Sequence, residues 1–282
     1  MSAGTASPPG VVRRALHRPG ARFGLGIATA FLVLTVIAPL LAPFDPYEQD
    51  LSQALSPPSA LHWFGADQYG RDTLSRILYG TRTALLAIVV ADGLALTLGG
   101  SIGLVAGYFG GQVDALLMRA VDVLLAFPYL LLALIIVAVL GPSLTNSVIA
   151  IGIIYTPQYA RLMRGQVLRV QVADFVIAAR AIGAGRMRVM LRHVLPNSFT
   201  PVLVLATLQS GAVVAETAGL SFLGLGAQPP SPDWGALLAD GHGYFLTAWW
   251  IATFPGLAIF LVVVGFNLLG DALRDQYDPR LR

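Results

Sequence analysis

"DFVIAARAIGAGRMRVMLRHVLPN", residues 174–197, is a polar interval set between long apolar runs. In its first half Phe175, Ala178, Ala179 and Ile182 follow i, i+3, i+4, i+7 spacing, which is one stripe of an α-helix. Asp174 stands at the start, where a carboxylate meets the positive end of a helix. Gly183 ends or bends that helix. A second stripe follows in Met187, Met190, Leu191 and Val194, and Pro196 marks entry to the next apolar run. Arg180, Arg186, Arg188 and Arg192 mostly take the other faces. The segment therefore reads as two short amphipathic helices joined at a glycine, and its apolar face needs a cover. Two covers fit. One is the membrane surface, with the arginines reaching lipid phosphates. The other is a soluble partner, for which the small residues Ala178, Ala179 and Gly183 permit close approach.

The flanking sequence fixes the class. Of 282 residues, 56% are hydrophobic and only 12% are charged, about half the charge of a soluble domain. The expected fold is all-α and polytopic in a membrane. Spanning helices need about 20 apolar residues, and six runs qualify: 22–43, 83–108, 116–140, 144–162, 199–220 and 248–269. The first follows Arg13, Arg14, Arg18 and Arg22, but it is longer than a signal-peptide core and reads as an uncleaved helix. Residues 1–12 read as a disordered tail. Arginines gather before the first run, between Arg161 and Arg192, and at Arg274, Arg280 and Arg282. Even numbers of runs separate these groups, so all fall on one side, which the positive-inside rule makes cytoplasmic. The resulting plan has a cytoplasmic tail (1–21), a first span (22–43), an external loop (44–82), a five-helix core (83–270) enclosing the polar loop 163–198, and a second cytoplasmic tail (271–282). The segment 221–247 reads as a second external loop.

Composition also excludes functions. All 18 cations are arginine. Without lysine there is no P-loop and no Schiff-base chemistry; without cysteine there is no disulfide or thiolate metal site. The four histidines are scattered, with no metal-ligand spacing. The net charge of +3 fits arginines orienting the chain in a bilayer and does not point to nucleic acid. A membrane enzyme would need a nucleophile and base within the spans, and a secondary transporter would show internal repeats; neither pattern is seen.

Several intramembrane residues stand out. Asp92 and Glu216 are costly in lipid. Each fits two roles: lining a translocation path, or bonding a neighbouring helix. Asp122 lies one turn from Arg119 and is expected to pair with it. Gly99, Gly103 and Gly107 recur at four-residue spacing, a pattern for close helix packing. Pro128 is expected to kink the third span. Arg71 and Asp72 are expected to fix the shape of their loop.

The opening stretch resembles the coupling loop of ABC importer permeases, in which Glu-Ala-Ala, three residues, Gly, nine residues and Ile-x-Leu-Pro follow one another. Ala178, Ala179, Gly183, Leu195 and Pro196 match at that spacing; Ile177 stands in place of Glu, and His193 in place of Ile. The stretches 62–87, 107–134, 219–238 and 266–282 are similar to the dipeptide/oligopeptide/nickel branch (DppC/OppC-like), where the Glu position often varies. The resemblance implies a type I ABC importer permease fold whose coupling helix uses Asp174, Phe175, Ala178, Ala179, Arg180, Ile182, Gly183, Leu195 and Pro196. It implies a non-catalytic subunit for peptides, with glutathione and nickel chelates as alternatives. The implied partners are a second permease, two cytoplasmic ATPases that hold ATP and Mg, and an external substrate-binding protein. The glycine stripe then has the second permease as one candidate neighbour.

Overall fold

The computed structural model describes residues 19–277, and these are helical apart from their connections and one isolated bridge between Ala66 and Asp72. In chain order the helices are α1 (Pro19–Leu41), α2 (Thr73–Phe109), α3 (Gly111–Leu125), α4 (Tyr129–Leu140), α5 (Leu144–Val170), α6 (Asp174–Ala181), α7 (Arg186–Val189), α8 (Leu195–Phe222), α9 (Trp234–His242) and α10 (Trp250–Tyr277). A π turn, Met190–Val194, joins α7 to α8. The tail read as disordered (1–12) and Arg13, Arg14, Arg18, Arg280 and Arg282 lie outside the described residues.

Among the described residues, Gly20–Leu41, Thr73–Phe109, Arg186–Phe222 and Trp250–Asp275 are long and apolar enough to cross a bilayer; α3 and α4 add a fifth span if the pair, bent by 88°, counts as one. The six-run reading differs in two places. The run 116–140 breaks at Ala126–Pro128, and Pro128 becomes the residue capping α4 instead of a kink within one helix. Proline offers no N–H and keeps the residue before it out of helical geometry. The run 144–162 does form a helix, α5, but Thr156, Gln158, Arg161 and Arg164 lower its apolarity. It compensates by enclosure, with Tyr159, Met163 and Val167 fully buried.

Two further differences have local causes. Helix α2 starts ten residues before the expected 83, because Asp72 caps it by accepting from the Ser75 amide. The expected loop 221–247 contains α9, capped by Asp233 through the amides of Gly235 and Ala236.

Helices α2 and α5 run parallel in very close contact. A Cβ on Gly99, Gly103 or Gly107 would lie 2.4, 2.2 or 3.0 Å from the carbonyl oxygens of Thr156, Ala160 and Arg164. The glycine stripe thus seals two helices of this chain together. Parallel neighbours require the chain to recross between them, and the α3–α4 pair does so. Helix α8 runs antiparallel to α5, joined through Tyr155–Glu216 and Gln158–Gln209. Helix α10 returns along α8, with Gly211 against Val263 and Gly270 against Leu208, and α1 lies against α10 through Gly24 and Leu268. One end of the bundle therefore collects Arg22, the 161–192 arginines and Arg274. The opposite end carries the segments 44–72 and 223–249.

That opposite end is locked by charge. Asp67 accepts from the amides of Tyr69 and Arg71 and from Arg71 Nε at 2.6 Å. Arg76 approaches the same carboxylate at 3.7 Å, and Arg71 reaches Asp240 at 3.6 Å. Asp72 binds His62 Nδ1 at 2.9 Å while its other oxygen caps α2. Arg71 and Asp72 are thus turned into the loop. Trp234 Nε1 donates to the Ile77 carbonyl at 2.9 Å, and Trp250 Nε1 to that of Ala66 at 3.1 Å, pinning α9 and α10 to this end.

Candidate functional site

At the arginine-rich end, α6 begins with Asp174 in its first turn. It ends in a Schellman motif: the Gly183 amide donates to the Arg180 carbonyl at 3.0 Å and the Ala184 amide to that of Ala179 at 3.1 Å. Gly183 takes φ +86°, which a side chain strains to adopt.

The two faces of this segment are assigned differently from the sequence stripes. Val176 and Ala179 are the buried pair of α6; Val189, Met190 and Val194 continue the same attachment to the main core. Of the first stripe, Ala179 alone is buried: Phe175 is 46% and Ile182 86% exposed, and Ala178 is open too. Val172, Ile177, Met187 and Leu191 join them on the surface. Asp174, Arg180 and Gly183 are also exposed. Ile177 adds hydrocarbon at the position where the coupling-loop pattern carries Glu. The anchoring face was legible in part as Val176 and Ala179 at i, i+3, but the sequence offers a competing stripe of equal apolarity.

Leu195 is half-buried against the core, and Pro196 is exposed. Pro196 is not a break between two helices, because the helix is continuous from Arg186 to Phe222. The π turn just ahead of it shifts the hydrogen-bond ladder where a proline supplies no N–H.

Polar contacts fasten the segment's surroundings. Tyr108 Oη donates to the Arg186 carbonyl at 2.8 Å, and the Arg180 guanidinium lies 5.8 Å over the Tyr108 ring. Arg164 grips Asp114 with two bonds, at 2.5 and 2.6 Å. Asp122 pairs with Arg161 at 2.6 Å and not with Arg119; the partner comes from another helix, which helical spacing alone does not reveal.

The remaining candidates lie deeper. Asp92 is buried, accepting from Tyr159 Oη and Ser210 Oγ, each at 2.9 Å. It ties α2, α5 and α8 at one point, which is the helix-bonding role. Glu216 is half-buried and accepts from Tyr155 Oη at 2.7 Å, while its Oε2 has no hydrogen-bond partner.

These features define a multi-pass helical membrane protein whose buried acids are bonded between helices and whose arginine-rich end carries a short helix with an open apolar face. Residues 99–282 match the family described as binding-protein-dependent transport system inner membrane component, and residues 10–58 match the N-terminal TM domain of oligopeptide transport permease C. The chain belongs to this family of ABC importer permeases. As a member it is a multi-pass inner-membrane component of a binding-protein-dependent transport system and is not catalytic.

It is 46% identical to the dipeptide transport system permease protein DppC of Alkalihalophilus pseudofirmus, over 92% of this chain and 85% of that protein. It is 45% identical to the glutathione transport system permease protein GsiD of Escherichia coli, over 89% and 83% of the two chains. Among solved structures, an inward-facing MetNI methionine ABC transporter shares the fold, with a TM-score of 0.57, 16% identity, and coverage of 72% of this chain and 97% of that one.

Proposed function

We propose that this chain is one of two permease subunits of an ATP-driven importer for di- or oligopeptides. The substrate class follows that of its dipeptide-permease relative, with glutathione, itself a peptide, as the second reading. The arginine-rich end faces the cytoplasm, in keeping with the positive-inside bias. There α6 seats in a groove of one of two ATPase subunits, which hold ATP and Mg. A substrate-binding protein delivers peptide at the opposite end, where 44–72 and 223–249 lie.

The observation that carries the reading is the exposed apolar face of Phe175, Ala178 and Ile182 on a helix clamped from behind by Val176 and Ala179. A helix held on one side and bare on the other transmits a push without reshaping itself. Nucleotide-driven closure of the ATPases moves α6 and shifts the permease pair between inward-open and outward-open populations.

The test is mild-detergent purification of this chain from native membranes, followed by mass spectrometry and peptide uptake in reconstituted vesicles. Co-purification of a second permease and ATPase subunits, with ATP-dependent uptake of dialanine, is expected. Recovery of the chain alone, with its partners expressed, sinks the reading.

A further inference from the structure

Two glutamines sit where a lipid-facing helix would carry hydrocarbon. Gln158 is at mid-length of α5 and Gln209 at mid-length of α8, and Gln209 Nε2 donates to Gln158 Oε1 at 2.6 Å across an exposed contact. Polar side chains at that depth face a water-filled cavity or protein, because lipid offers them no partner. The neighbourhood agrees. On α8 the face of Gln209 continues through Ala212, Glu216 and Gly219, all small or polar, whereas α10 exposes Phe260 and Leu261 at similar depth. On α5, Tyr155 lies one turn from Gln158 and holds Glu216, whose second oxygen is unpartnered.

A bonded pair of carboxamides keeps free N–H groups and a free carbonyl oxygen. That set complements the C=O and N–H of a peptide unit, which every peptide carries whatever its side chains. We infer that Gln158 and Gln209 form a binding station on the translocation path that takes the backbone amide of the passing peptide. The inference rests on the peptide-import reading. Asp92, one layer behind, serves as the tether that holds α5 and α8 in register for the pair.

The chain has no cysteine, so an introduced cysteine is the one thiol of this chain, and its labelling is read by mass after the chain is separated from the other subunits. In the assembled transporter, Gln158→Cys and Gln209→Cys are treated with a charged, membrane-impermeant methanethiosulfonate, with Phe260→Cys as the lipid-facing reference. Reaction about ten-fold faster at 158 and 209 than at 260 is expected, slowed by saturating dialanine. No reaction at either site, with or without ATP, overturns the aqueous placement.

In uptake assays, Gln158→Leu with Gln209→Leu is expected to lower transport of dialanine and of leucyl-phenylalanine alike, by about ten-fold, with the ATPases still co-purifying. Unchanged uptake, or loss for one peptide only, overturns backbone recognition. A wild-type complex that carries no peptide fails with both glutamines in place, which marks a failure of the substrate reading instead.

Discussion

Segment 62–76 turns its charges inward, whereas segment 172–191 turns its hydrocarbon outward. Asp67, Arg71 and Arg76 are almost wholly enclosed, and each finds its opposite charge within the chain. Phe175, Ile177 and Ile182 are open, although the same helix has a buried face available. The first segment is finished by its own contacts. The second is anchored but left incomplete on its outer side, as the proposed docking surface requires.

Substitutions test that contrast. Asp67→Ala leaves two buried guanidiniums without their shared carboxylate, and removing one partner of a buried pair costs about 3–5 kcal/mol. The variant should show sharply reduced levels in membranes and a lowered unfolding temperature in detergent; full stability would break the contrast at its closed end. A Cβ at Gly183 meets no neighbouring atom, but the arginine of Gly183→Arg must adopt φ +86°, a strain of about 1–2 kcal/mol. It should remain in the membrane yet lose ATPase co-purification and transport, and normal transport would break the contrast at its open end.

A milder probe of the open end is the pair Phe175→Ser and Ile182→Ser. Being exposed, these changes should alter stability by only about 0.5 kcal/mol, while ATPase recovery falls about ten-fold, as loss of apolar anchors at an interface does. Equal recovery would mean that the face is covered by lipid.

The smallest effect concerns the solvent rim of the closed end. The Ser52 hydroxyl and amide hold the Asp50 carboxyl below its usual range. A lowered folded-state value stabilises above the ordinary carboxylate value, and that contribution disappears as pH falls through the lowered one. Protection of the Ser52 amide from hydrogen exchange should follow this course and become independent of pH in Asp50→Asn.

The sequence revealed the elements better than their partners. Asp174 and Gly183 mark the ends of α6 because capping is local chemistry, and the apolar runs locate the long helices because hydrocarbon length is counted along the chain. Burial is not local. Which of two apolar stripes on α6 faces inward depends on Val189, Met190 and Val194, which arrive from the next turn of chain. Asp122 chose Arg161 over Arg119 for the same reason. The extra turns of α2 before residue 83 were hidden because "DTLSRILYG" is too polar to read as a span, and α9 because its burial depends on Trp234 finding Ile77. Gln158 and Gln209 carry no charge to mark them in the sequence; only their meeting at mid-helix gives them meaning.

The glycine stripe on α2 makes two helices into a single rail. With backbone set against backbone at Thr156, Ala160 and Arg164, there is no side-chain layer to absorb a displacement. Helix α6 hangs from the end of that rail by a short link after Val170, and Gln158 lies about 20 Å along it at the usual helical rise. On the proposed coupling, a push at α6 would reach the glutamine pair with little damping. Inserting even one methyl group at Gly103 would work as a shim, forcing the rail apart and adding slack between α6 and the glutamine pair.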